Sequence, residues 1–242
     1  MDTMTSFVAG FFKRETAKPV LILFYAIVAL VAWKAIPLTP PFAPEVNATS
    51  DGPLSLWGFL HGEQRILAAL VLMGIIPACL VRFVLRERLA DYGVSLGVPI
   101  RTVRTMLMTV PFFAVGGWLS AGNDVFLGTA PFCSCRPLTG WYIPAHLCCY
   151  FVFYYASWEF FFRGFLMKGL APSCGLAPAL LIQTMAATLV HIGHPQIEIV
   201  SCIAASLFWG FIALRTRSLI SGTVQHATLG VLLDYFIIRR FM

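Results

Sequence analysis

The chain has 242 residues, of which 59% are hydrophobic and 12% charged, with a mean hydropathy of +0.81. A soluble domain carries roughly 45–50% apolar and about 25% charged residues. So large an apolar surplus cannot be hidden in one core, which excludes a disordered chain, a coiled coil, collagen and an ordinary cytosolic globule. The net charge of +6 and pI near 9.1 would suit a nucleic-acid partner, but with so few charges a positive-inside bias is the simpler cause. The expected class is an all-α, polytopic transmembrane bundle, with the lipid bilayer as partner and no nucleic acid.

A helical span needs about 20 mostly apolar residues. The stretch Phe7 to Arg14 mixes aromatic and cationic residues and reads as a surface-lying segment or a basic flank. No signal peptide is expected, because the first apolar run is long and no small-residue cleavage site follows it. That run, Pro19 to Ile36, is the first span. The Pro- and Gly-rich loop from Pro37 to Gly62 follows, with an Asn47-Ala-Thr49 sequon that chance explains better than glycosylation does, since the motif is only three residues long. Further spans are read at Ile66 to Phe83, Val103 to Ser120, Ile143 to Leu166, Leu176 to His191, Ile197 to Leu214 and Leu219 to Ile238. The count is seven; six or eight would follow from a different treatment of the short fifth and sixth, which Pro195 interrupts. The terminal IIRRFM is not a prenylation box.

Positive charge sets the orientation. One side collects Lys13, Arg14, Lys18, Arg86, Arg88, Arg101, Arg104, Lys168, Arg215 and Arg217; the other holds mainly Arg65, Arg136, Arg239 and Arg240. The richer side is read as cytoplasmic, which puts the N-terminus inside and the C-terminus outside. The seven cysteines have no zinc spacing. Cys133-Ser-Cys135 in an outer loop could form a disulfide, while most of the others fall within spans as small buried hydrophobes.

Charge inside a span costs roughly 2.5–3.5 kcal/mol or more, so such residues usually face a cavity and do chemistry. Here they concentrate in the C-terminal half: Glu159, Arg163, His191, His194, Glu198, His226 and Asp234. Glu159 and Arg163 share a helix face at i, i+4, as a catalytic pair or as a structural cross-link. His191 and His194 end the fifth span, and Pro195 disfavours helix just before itself. The chain should therefore break near His194, where a cavity-lining bend is tolerated. Glu198 then opens the next helix, where the dipole favours a carboxylate. Gly222, His226 and Gly230 follow at i, i+4, i+8, and small residues either side of His226 let another backbone come close. A carboxylate and two imidazoles from three spans are enough to activate water and stabilise an oxyanion.

The order Trp158-Glu-Phe-Phe-Phe-Arg163-Gly164, a His ending one span and a His late in the last resembles the CAAX protease and bacteriocin-processing family of intramembrane endopeptidases. That family's motifs read Glu-Glu-x-x-x-Arg-Gly, Phe-x-x-x-His and His-x-x-x-Asn or Asp. The resemblance covers about Trp141 to Asp234, and the stretch Arg88 to Gly97 is similar to the basic segment that often precedes that core. Arg163 and Gly164 match the first motif, with Glu159 as its second Glu and Trp158 in place of its first. His191 matches the second motif with Ala187 for its Phe, and His226 matches the third with Gly230 for its Asn or Asp. The fit is better to a bacterial branch that reads Trp-Glu-Phe-Phe-Phe-Arg-Gly, then His-x-Gly-Lys-Pro with a following Glu, then His with an Asp eight residues on.

The resemblance implies residues 1–140 as an N-terminal membrane-associated segment with three spans and 141–242 as the catalytic core of a single membrane domain. It implies a peptidase of a bacterial-type inner membrane, acting on a membrane-associated or lipidated protein or peptide, as in CAAX-box processing. Glu159 would deprotonate water, His191 orient it, His226 donate to the oxyanion and Arg163 fix Glu159. Glu198 and Asp234, with His194, would support the histidines. No cofactor is expected. The HExxH motif is absent, although a zinc site from His191, His194 or Glu198, and His226 is chemically feasible. Two other readings stay open. One is a catalytically inactive scaffold or immunity-type protein, which Trp158 and Gly230 favour. The other is a small transporter with a proton relay through Glu159, His191 and His226, which no inverted repeat supports.

Overall fold

The computed structural model describes residues 14–36, 60, 62–128 and 141–240. The segment 7–13, the Asn47 sequon and Cys133-Ser-Cys135 lie outside the described residues. Seven long helices run through the described chain with no strand between them. They are α1 (Arg14–Lys34), α2 (Gln64–Val84), α3 (Pro99–Ala121), α4 (142–174), α5 (Leu176–Val190), α6 (Gln196–Thr216) and α7 (Ile220–Arg240). Each expected span has its helix. Thr16–Lys34, Gln64–Val84 and Gln196–Thr216 are each long and apolar enough to cross a membrane outright, and Leu176–Val190 is a shorter apolar helix. The fourth helix runs further than hydropathy suggests, to Cys174, because Lys168 is carried inside it.

The bundle is inverted relative to a soluble protein on its outer face. Phe24, Ile27 and Val31 of α1, Leu107, Met108 and Phe112 of α3, and Ile197 and Val200 of α6 are all exposed. Such apolar belts are stable only against lipid, where helices satisfy their own backbone groups. The fold is therefore that of a helical membrane protein.

Helix α4 is the axis of the bundle. Every residue from Phe160 to Met167 is buried, which explains why the sequence there is greasy all round rather than striped. Two stretches of α4, Tyr150–Tyr155 and Phe160–Lys168, are π-helical. The wider turn advances the side chains by a smaller angle per residue and re-aims them, a device often found at functional sites.

Around α4, α7 packs along α3 and α5 pairs with α6. The approach of α7 to α3 is close because Gly117 has no side chain; a Cβ there would stand 2.5 Å from the Leu229 carbonyl oxygen. The α6–α7 turn is held by the segment before α3. Val98 N–H donates to the Thr216 carbonyl at 2.8 Å, and Leu219 N–H donates to the Gly93 carbonyl at 3.0 Å. The Ser218 hydroxyl donates to the Ser95 carbonyl at 2.5 Å. These bonds fix the start of α7 and with it the position of His226.

On the outside of this turn region, Lys18 of α1 bonds both oxygens of Glu87 at 2.9 and 2.8 Å, and the Tyr92 hydroxyl donates to the same carboxylate at 2.5 Å. The basic stretch that follows α2 is thus tied to the first helix by one carboxylate.

Candidate active site

Glu159 and Arg163 lie one turn apart on α4, and each is only 1% exposed. Arg163 Nη1 stands 3.3 Å from Glu159 Oε1, and its guanidinium lies against the rings of Phe162 and Trp209. The same Glu159 oxygen accepts from His226 Nδ1 at 2.8 Å. A carboxylate on Nδ1 fixes the tautomer and leaves Nε2 as the working nitrogen. The imidazole is sandwiched: Trp209 stacks on it at 4.0 Å, and the Tyr155 ring meets it at 4.7 Å.

Gly222 makes this meeting feasible, since a Cβ at that position would come within 2.9 Å of Glu159 Oε2. Gly230 makes similar room further along α7, where a Cβ would collide with the Tyr155 hydroxyl. The small residues flanking His226 therefore admit side chains of α4, not a neighbouring backbone.

The second imidazole sits where α5 ends. His191 is the residue after Val190, and Gly193 takes a positive φ of 96° to turn the chain before Pro195 opens α6. The break expected near His194 is present. Lys34 of α1 reaches over to donate to the Val190 and Ile192 carbonyls at 2.8 and 3.0 Å, which satisfies helix-terminal acceptors that would otherwise be orphaned. His191 Nδ1 donates to the Ala187 carbonyl at 2.7 Å, so Nε2 points onward, 3.8 Å from Glu198 Oε1. His194 Nδ1 meets the same Glu198 oxygen at 2.9 Å. Cys202 Sγ lies 3.4 Å from His191 Nδ1. Trp158 bridges the two imidazoles, edge-on to His191 at 5.9 Å and to His226 at 6.5 Å.

These groups border a cavity of about 970 Å³ whose wall is mainly apolar. His191, His194, Glu198, His226, Arg163 and Asp234 all reach the wall. Glu159 does not: it is one layer back, behind His226. Of the expected carboxylate and two imidazoles, both rings reach the cavity and Glu159 bonds His226 from behind, while the carboxylates on the cavity wall are Glu198 and Asp234.

Asp234 also reaches this wall, and it contacts a further histidine. From its place on the last span it could orient a partner or cap an Arg near the membrane surface, and the resemblance implies that it orients the histidines. Eight residues along α7 is a rise of about 12 Å, which carries it past His226 to the beginning of α4. There Asp234 Oδ2 pairs with His146 Nε2 at 3.3 Å. His146 Nδ1 contacts both Glu63 oxygens at 2.9 and 3.0 Å, and the Tyr142 hydroxyl donates to Glu63 at 2.9 Å. Glu63, His146 and Asp234 are each no more than 1% exposed. The sequence reading singles out neither Glu63 nor His146. His146 lies inside the fourth expected span, so the rule applied to the other polar residues would have found it. Glu63 borders a loop, where nothing in the local pattern marks it.

The fold and this site define a helical membrane protein with a mainly apolar cavity among its helices, into which imidazoles and carboxylates project. Residues 139–232 match the family model described as type II CAAX prenyl endopeptidase, Rce1-like, so this stretch of the chain is similar to that family. No curated protein and no solved structure matches the chain.

Proposed function

We propose that the protein is an intramembrane endopeptidase of the glutamate type, which hydrolyses a peptide bond of a membrane-associated or lipidated substrate inside the cavity. The observation that carries this reading is the Glu159–His226 bond of 2.8 Å, formed by two spans and presenting an oriented imidazole to the cavity. A buried carboxylate on Nδ1 holds the ring in one tautomer and lets Nε2 donate to, or accept from, a reacting oxygen. In this reading Glu159 acts through His226 rather than on water directly, and Arg163 balances its charge.

The water-binding carboxylate is Glu198. Its Oε1 is engaged by His194 and approached by His191, while Oε2 has no donor among the described residues. A water held between Glu198 and His191 gives its proton to the carboxylate as its oxygen bonds to the peptide carbonyl carbon. Collapse of the tetrahedral intermediate breaks the C–N bond, and the proton passes from Glu198 to the leaving amine. This chemistry needs no metal. Cleavage of a quenched, farnesylated Cys-aliphatic-aliphatic-X peptide by the purified protein in detergent tests the proposal, with His226→Ala as the blank. The same reading takes the N-terminus as cytoplasmic, the membrane as bacterial and the chain as a member of the bacterial branch.

One observation favours a second reading. Trp158 occupies the position of the first motif Glu and covers both imidazoles, as a scaffold that had lost peptidase chemistry would allow. Equal cleavage by wild type and the His226→Ala blank would favour it.

A further inference from the structure

The proposed mechanism leaves the oxyanion with a single donor, His226. The cavity holds a second candidate in Tyr155. Its ring lies 4.7 Å from the His226 ring, it reaches the cavity wall, and only 4% of it is exposed. The π-helical turn at Tyr150–Tyr155 aims it at α7 rather than at lipid. Its hydroxyl fills the space over Gly230 so fully that any side chain at that position would collide with it. Gly230 is one turn beyond His226 on the same face of α7. A donor carried by residue 230 would start where the Tyr155 hydroxyl already stands.

The Tyr155 hydroxyl is also hydrogen-bonded to Tyr150, which packs against it at 4.7 Å. With Tyr150 as the donor of that bond, the Tyr155 proton is free for the cavity. A buried phenol otherwise needs a partner for its proton.

We infer that Tyr155 is a catalytic residue of the proposed peptidase: its hydroxyl donates to the carbonyl oxygen of the scissile bond as charge develops there, alongside His226 Nε2. No proton leaves the phenol. It contributes a hydrogen bond that strengthens as the carbonyl becomes an oxyanion, which raises kcat more than it tightens substrate binding. This inference rests on the peptidase reading and adds to it the group that α4 supplies where α7 has only Gly230.

Tyr155→Phe is the test, because it removes one oxygen and keeps the ring that packs on His226. Wild type, Tyr155→Phe and Tyr150→Phe are compared with the quenched farnesylated peptide, with kcat and KM measured separately and thermal unfolding recorded for each. The expected result is a fall of about 10²-fold in kcat for Tyr155→Phe, with KM within about twofold and the unfolding temperature retained. Tyr150→Phe should fall less, since it removes only the orienting bond. A kcat for Tyr155→Phe within about threefold of wild type, or a loss confined to KM, overturns the inference while leaving the peptidase reading intact. A wild type no faster than its His226→Ala blank overturns both, and that failure is visible in the wild-type arm alone.

Discussion

Replacing each of the two carboxylates by its amide should separate their roles. Glu198→Gln removes a base from a side chain that is 26% exposed and pairs with a His194 that is 14% exposed. Partly solvated pairs of this kind contribute about 0–1 kcal/mol to stability, so the protein should remain folded. Loss of a general base costs about 10²–10⁴-fold in rate, equivalent to about 3–5 kcal/mol of barrier. Glu159→Gln is the reverse case. Glu159 and Arg163 are each 1% exposed and 3.3 Å apart, and removing the negative partner leaves a guanidinium buried among Phe162 and Trp209 without compensation. Such a change destabilises by about 3–5 kcal/mol, or about 6–20 °C in unfolding temperature for a chain of this size. The assay is thermal unfolding in detergent beside peptide cleavage. Glu198→Gln should be stable and slow; Glu159→Gln should unfold early. The reasoning fails if Glu198→Gln keeps full activity, or if Glu159→Gln melts with wild type.

Other perturbations follow from the same geometry. Gly222→Ala would push a methyl to 2.9 Å from Glu159 Oε2, an overpacking that costs about 1–3 kcal/mol; it should lower the unfolding temperature and kcat together by displacing the Glu159–His226 pair. His146→Ala removes the imidazole that joins the buried Glu63 and Asp234 carboxylates, so a loss of about 3–5 kcal/mol should show as poor recovery of folded protein. Burial alone would raise the Glu87 carboxyl, but the Lys18 ammonium and the Tyr92 hydroxyl outweigh it and hold the group below its ordinary value. A lowered folded value means stability that is present above the unfolded carboxylate pKa of about 4.3 and lost as pH falls through the folded value. Melting curves of wild type should therefore drop below about pH 4, and Glu87→Gln should be less stable at neutral pH and flatter across that window.

The helices are legible in the sequence because hydropathy in a bilayer protein reports the solvent directly: each run of about 20 apolar residues has to be a helix. The break at Pro195 is legible for a similarly local reason, since proline and Gly193 dictate it. The pairing of side chains across helices is not. Glu159 and Glu198 look alike as carboxylates within apolar runs, and only the packing of α7 on α4 buries one behind His226 and leaves the other on the cavity wall. Asp234 reads as a companion of His226 because they share a helix, yet its partner is on α4. Tyr155 carries no charge, so a search for ionisable residues in spans passes over it. The clue is Gly230, whose missing side chain marks where a group from elsewhere must stand.

Hydrolysis in water enriched in oxygen-18 shows whether the cavity adds water across a peptide bond. Purified wild type should release a peptide whose new C-terminal carboxyl carries one heavy oxygen from solvent, at a rate that exhaustive chelation leaves unchanged. His226→Ala and Glu198→Gln, both folded, should release almost none. Wild-type protein that incorporates no more label than His226→Ala contradicts the account.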